Sequence, residues 1–112
     1  MIIRNITSIE PIDDTCGRIQ QLYDSENITI AYVMITGKAR SHLHKKTEEV
    51  YYVQKGRGNL FIGDDKFKVE PGDIVPLPKN TFHHLERISA EPLELLVVTN
   101  PRYDVSDVIE PI

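Results

Sequence analysis

A chain of 112 residues, 40% hydrophobic and 27% charged, has the size of one domain and can hold one core and one ligand-sized cavity, so a single domain over 1–112 is expected. Its apolar content is too high and its net charge of −4 too small for a disordered chain, and an acidic balance with scattered Lys and Arg argues against nucleic-acid binding. The longest apolar stretch, Ile28 to Ile35, is broken by Thr29 and is far shorter than the ~20 residues of a membrane helix, the opening Met1-Ile2-Ile3-Arg4 lacks a secretory pattern, and the lone Cys16 reads as a reduced thiol, which together point to a cytoplasmic protein without a membrane partner.

Strand signals run the length of the chain. Ile2 to Ile6 reads as an edge strand, and Arg18 to Tyr23 as a weak strand candidate. Ile28 to Thr36 is β-branched and aromatic, the composition of a buried strand, with Tyr32 and Met34 expected in the core. Val50 to Val53 follows. Leu60 to Ile62 and Lys66 to Val69 flank Gly63-Asp64-Asp65, which reads as a hairpin turn. Ile74 to Leu77, Phe82 to Ile88 and Leu93 to Thr99 complete the set. Gly37, Gly56, Gly58, Gly63, Pro71-Gly72, Pro78-Lys79-Asn80, Glu91-Pro92 and Asn100-Pro101 break these runs at regular intervals. Seven to nine short strands without a helical period predict an all-β fold, a sandwich, jelly roll or small barrel. Because the 28–36 strand is apolar on both faces, it asks for cover on both sides, and a homodimer is expected. The acidic, amphipathic tail from Tyr103 to Glu110 is expected to cover one end of the barrel or meet a second subunit.

The four histidines fall in two tight clusters, His42/His44 and His83/His84. On a strand, the spacing of His42 and His44 puts both imidazoles on one face. Glu49 follows after a turn carrying Lys45 and Lys46. The next strand would point Glu49, Tyr51 and Val53 one way and Val50 and Tyr52 the other. Imidazole and carboxylate together suit divalent transition ions such as Fe, Mn, Co, Ni or Zn. Four such ligands leave up to two positions of an octahedral ion open, the feature that separates a catalytic site from a closed structural one. An isolated pair of strand histidines is more often a surface or packing feature, so the reading depends on the fold bringing Glu49 and His83 to the pair.

The stretch from Gly37 through His42, His44 and Glu49 to Gly56 resembles the first motif of the cupin superfamily, in which H-x-H is followed by Glu and a closing Gly. The stretch from Gly72 through Pro78 to His83 resembles the second. Asn80 stands where that motif has its second Gly, and can still adopt a left-handed turn. Arg87 stands where it has Asn. The resemblance implies a cupin β-barrel, a double-stranded β-helix of jelly-roll type, with one divalent transition metal inside, held by His42, His44, Glu49 and His83. His84, next along the strand, would face away.

Arg87 lies four residues after His83, on the same strand face, and is a candidate for binding an anionic ligand; pairing with Glu86 or Glu94 is the alternative. Tyr51 shares the Glu49 face and is the other candidate ligand-binding residue. The function expected is a metalloenzyme acting on a small polar or anionic metabolite such as a sugar or sugar acid. The reaction would be an isomerisation or elimination through a metal-stabilised enolate. The alternatives are an Fe(II) dioxygenase and a non-catalytic sugar- or metabolite-binding barrel.

Overall fold

In the computed structural model the described residues are 3–14 and 17–112. Cys16 and Ile2 lie outside them. The described residues fold as all-β, with eleven strands and two single 3-10 turns. The strands are β1 (Ile12–Asp14), β2 (Gly17–Asp24), β3 (Thr29–Ile35), β4 (Leu43–His44), β5 (Glu48–Lys55), β6 (Gly58–Ile62), β7 (Asp65–Val69), β8 (Ile74–Leu77), β9 (His83–Arg87), β10 (Leu93–Asn100) and β11 (Val108–Ile109). One sheet has the order β1-β2-β3-β10-β5-β8, a second has β7-β6-β9, and β11 pairs with β4. Backbone bridges from Lys38 to Glu86 and from His42 to His83 tie the segment before β4 to β9. Two curved layers thus face each other as a jelly roll.

Period-two alternation decides which side chains go inside. On β10 the inward row is Leu93, Leu95, Val97 and Thr99, all buried. On β5 it is Val53, Tyr51 and Glu49, and on β9 it is Leu85 and His83. Each row is aliphatic at one end and polar at the other. The aliphatic ends meet Leu60, Val69 and Leu77 in a dry core. The polar ends converge at the opposite end of the same interior.

A turn and a bulge hold these rows in register. The pairing of β10 with β5 shifts between Glu94 and Leu95, so Gln54 is an extra residue there. Beside it Gly56 adopts φ 77°, and a Cβ at that position would collide with the Pro92 carbonyl and lie 2.9 Å from Leu93 Cα. Only glycine lets the chain leave β5 this close to β10. Gly63 and Asp64 make the two-residue turn between β6 and β7, with Gly63 at φ 57°.

Two local expectations need correction. Residues 3–6 form no strand. Instead Ile6–Ser8 is a 3-10 turn in which the Asn5 side chain accepts hydrogen bonds from the Thr7 amide and hydroxyl. Such short-range side-chain bonds compete with strand pairing, and Ile12–Asp14 takes the sheet edge. Tyr32 and Met34 are also not core residues. Their neighbours Ala31, Val33 and Ile35 point inward, so the alternation sends both to the outer face, where the Tyr32 hydroxyl donates to Glu94 at 3.0 Å. No helix among the described residues is long and apolar enough to cross a membrane.

Candidate metal centre

Main-chain pairing brings the two histidine clusters together. His42 N–H donates to the His83 carbonyl at 3.1 Å, and His83 N–H donates to the His42 carbonyl at 2.9 Å. This is a directly opposed antiparallel pair, and it sets the two rings 4.5 Å apart. His44, two residues on, lies on the same face with its ring 5.0 Å from that of His42. Asn80 N–H fixes the His44 carbonyl at 2.8 Å. Asn80 stands at φ 58°, the left-handed conformation expected of it. Glu49, on the inward row of β5, completes the group. One ligand atom from each of His42, His44, Glu49 and His83 lies within 4.8 Å of the others.

The ring nitrogens are divided between two tasks. His42 Nδ1 lies 3.0 Å from the Arg40 carbonyl, and His83 Nδ1 lies 3.2 Å from the Thr81 carbonyl. A carbonyl can only accept, so each Nδ1 carries a proton, and in the neutral ring Nε2 is then the atom that presents a lone pair. This is how metal-ligating histidines are usually oriented. His83 Nε2 lies 3.2 Å from Glu49 Oε1, without the alignment of a hydrogen bond, and His44 Nε2 lies 3.7 Å from the same oxygen.

His44 Nδ1 and Nε2, Glu49 Oε1 and His83 Nε2 are all buried without a hydrogen-bond partner. Unsatisfied buried polar atoms are costly. Here they cluster at one point and belong to residue types that ligate transition ions, so the site fits a divalent ion. Burial pushes the His44 imidazole below its ordinary pKa, against the opposing pull of Glu49. Burial alone would raise the Glu49 carboxyl, but its contact with His83 and the charges of His44, His83 and His42 outweigh this and hold it below the carboxylate range. Neutral imidazole and ionised carboxylate are the forms that bind metal.

Above the cluster opens a cavity of about 300 Å3. It is walled by Ala31, Val33, Val97 and Tyr51, among others, and its polar lining includes Gln21, Thr29 and Thr99. Tyr51 is buried, with its ring 6.3 Å from that of His83. Arg87 keeps the strand parity of His83, but Leu85 stands between them in the core, and Arg87 is not among the lining residues. Four residues of strand carry it about 13 Å along β9, to the aliphatic end, where its amide donates to the Gly37 carbonyl. The lining contains no Lys or Arg. His84 faces away and stacks on Phe61 at 4.6 Å.

Sequence reading missed one wall. Tyr103 lines the cavity, sets its ring edge-on to His44 at 5.8 Å, and donates its amide to Thr29 Oγ1. Thr99 was legible as a polar residue in an otherwise aliphatic inward row. Tyr103 follows Asn100-Pro101 in a segment with no strand period, so nothing local marked it.

The cupin domain family model matches residues 31–99. Over 82 residues the chain is 34% identical to the uncharacterized protein MJ1618 of Methanocaldococcus jannaschii, covering 73% of this chain and 66% of that relative. It superposes with a TM-score of 0.86 and 14% identity on Pac13 of Streptomyces, described as a unique nucleoside dehydratase, over 99% of this chain and 91% of the other. It also superposes with a TM-score of 0.62 and 30% identity on a putative sugar phosphate isomerase from Acidithiobacillus ferrooxidans, over 70% and 52%. The matched stretch holds the strands that form the inward rows and all four residues of the buried cluster, and on this match the chain belongs to the cupin family.

Proposed function

We propose that the protein is a metal-dependent enzyme that isomerises, or eliminates water from, a small sugar or sugar acid. The convergence of His42, His44, Glu49 and His83, with partnerless atoms on His44, Glu49 and His83, beside a substrate-sized cavity that His42, His44 and Glu49 line carries this reading. A divalent ion among three neutral imidazoles and one carboxylate would leave one net positive charge, supplying Lewis-acid stabilisation to a single carboxylate or enolate oxygen. The residues themselves hold and orient. Nδ1–H bonds from His42 and His83 to main-chain carbonyls fix the ring planes. Ala31, Val33 and Val97 exclude water, which strengthens polar interactions inside. Thr99 and Gln21 offer hydrogen bonds to hydroxyl groups, and Tyr51 lines the same space. A cavity of about 300 Å3 stands at the lower end of small-molecule sites. Without a lining Lys or Arg, it suits a neutral sugar or a monocarboxylate better than a phosphate. The solved relatives favour sugar chemistry: Pac13 is called a nucleoside dehydratase and was solved with uridine in variant forms, and the other carries the name putative sugar phosphate isomerase.

The test is turnover without oxygen. Protein loaded with Mn, Co, Ni or Zn is incubated anaerobically in D2O with a panel of sugars and sugar acids. Deuterium at the carbon beside a carbonyl, or a new double bond, is the expected NMR signal. Oxygen consumption that requires Fe(II) would replace this reading with a dioxygenase, and binding without turnover across the panel would replace it with a binding barrel.

The same reading includes a cytoplasmic homodimer. The outer face of β3 presents Ile30, Tyr32 and Met34, each only partly covered, and the sheet ends at β1 with Ile12 exposed. A second copy would cover both. Light scattering at micromolar concentration is expected to give twice the chain mass; a monomer would overturn the dimer.

A further inference from the structure

The family match ends at residue 99, but the structure around the metal cluster does not. Beyond β10, Asp104 caps a 3-10 turn over Val105–Asp107 by accepting from the Ser106 amide and hydroxyl. β11 then pairs with β4, setting Val108 opposite His44. The turn aims Asp107, which is 8% exposed, at the segment joining His44 to Glu49. Asp107 Oδ1 accepts from Lys46 N–H at 3.0 Å, and Oδ2 accepts from Lys46 N–H at 3.0 Å and Thr47 N–H at 3.2 Å. Its main-chain oxygen accepts from Lys45 N–H at 3.4 Å. Three consecutive amides of the turn between two candidate ligands therefore end on one residue.

Buried amides need partners, and a carboxylate is the strongest acceptor available to them. No ladder of the main sheets reaches Lys45, Lys46 or Thr47. Removing the Asp107 carboxylate would leave Thr47, 2% exposed, with an unsatisfied amide unless the turn shifted. A shift there would move His44 at one end and Glu49 at the other.

We propose that Asp107 is a positioning residue. It fixes the Lys45–Thr47 turn so that His44 and Glu49 present their ligand atoms to one point, without being one of the four residues of the cluster. The inference rests on the metal reading above. Its role resembles that of outer-shell partners, whose loss costs about 10–100-fold in metal affinity.

The experiment measures metal affinity by chelator competition in wild type, Asp107→Ala, Asp107→Asn and Val69→Ala. Val69 lies in the core at the aliphatic end, and its truncation supplies a loss of stability unrelated to the turn. Asp107→Ala is expected to weaken the metal about 10–100-fold and to speed hydrogen exchange at the Lys46 and Thr47 amides of the metal-free protein. Asp107→Asn, with one acceptor oxygen left, is expected to fall between. Val69→Ala is expected to lower the melting temperature with affinity unchanged. Should Asp107→Ala not fold, Asp107→Asn carries the same comparison. Wild-type affinity in both Asp107 variants, or an equal loss in Val69→Ala at matched stability, overturns the inference alone. A wild type that binds no metal overturns the metal reading and the inference with it.

Discussion

Replacing His42 and His44 together by alanine is expected to take the bound transition metal from about one ion per chain to background. Elemental analysis of protein purified without a histidine tag measures this. The double substitution leaves the backbone pair between residues 42 and 83 in place, because both of its bonds are main-chain. It removes two of the four donors, and His83 and Glu49 alone form no facial set. Since losing even an outer partner of a ligand costs about 10–100-fold, losing two ligands should cost at least ~1,000-fold. The thermal consequence is large. A ligand at 1,000 times its dissociation constant stabilises the native state by about 4 kcal/mol, or roughly 10–20 °C for a domain of this size. Wild type should show that shift on metal addition and lose it to a chelator, while the double variant should show neither. Full metal content in the double variant would place the ion elsewhere.

How much of this was legible depends on the range of the interaction. The face shared by His42 and His44, and the inward parity of Glu49, Tyr51 and Val53, follow from the strand period. The meeting of His42 with His83 is a register between segments some forty residues apart, which no local pattern encodes; the motif resemblance supplied it. Strand parity says nothing of depth, and the strand carries Arg87 past Leu85 to the far end, away from the cavity lining. The tail was read as acidic cover. Its capping pattern, Asp104 two residues before Ser106, was present in the sequence, but the burial of Asp107 against amides sixty residues away was not. The same long-range blindness hid Tyr103. The residues missed lie on the connecting and terminal segments, where neither period two nor a family motif gives a signal.

Glu49→Gln is expected to separate metal binding from folding. The substitution keeps shape and removes the one negative charge in the cluster. Metal affinity should fall about 100–1,000-fold, which is roughly 3–4 kcal/mol, so the metal-induced rise in melting temperature should shrink to a fraction of the wild-type rise. The metal-free protein should respond differently, with a size set by pH. The carboxyl of Glu49 is held below its ordinary range by His83, His44 and His42, against the opposing effect of burial. A depressed carboxylate contributes stability above its unfolded pKa, near 4.3, and loses it as pH falls through the lower folded value. The uncharged amide supplies none of this. Metal-free Glu49→Gln should therefore be less stable than wild type at pH 8 and approach it at pH 3, where the wild-type carboxylate has lost that contribution. Denaturant melts at the two pH values, with and without metal, measure all four arms. A variant that bound metal at wild-type affinity while losing 2 kcal/mol or more of metal-free stability at pH 8 would make Glu49 a structural residue and remove it from the metal centre.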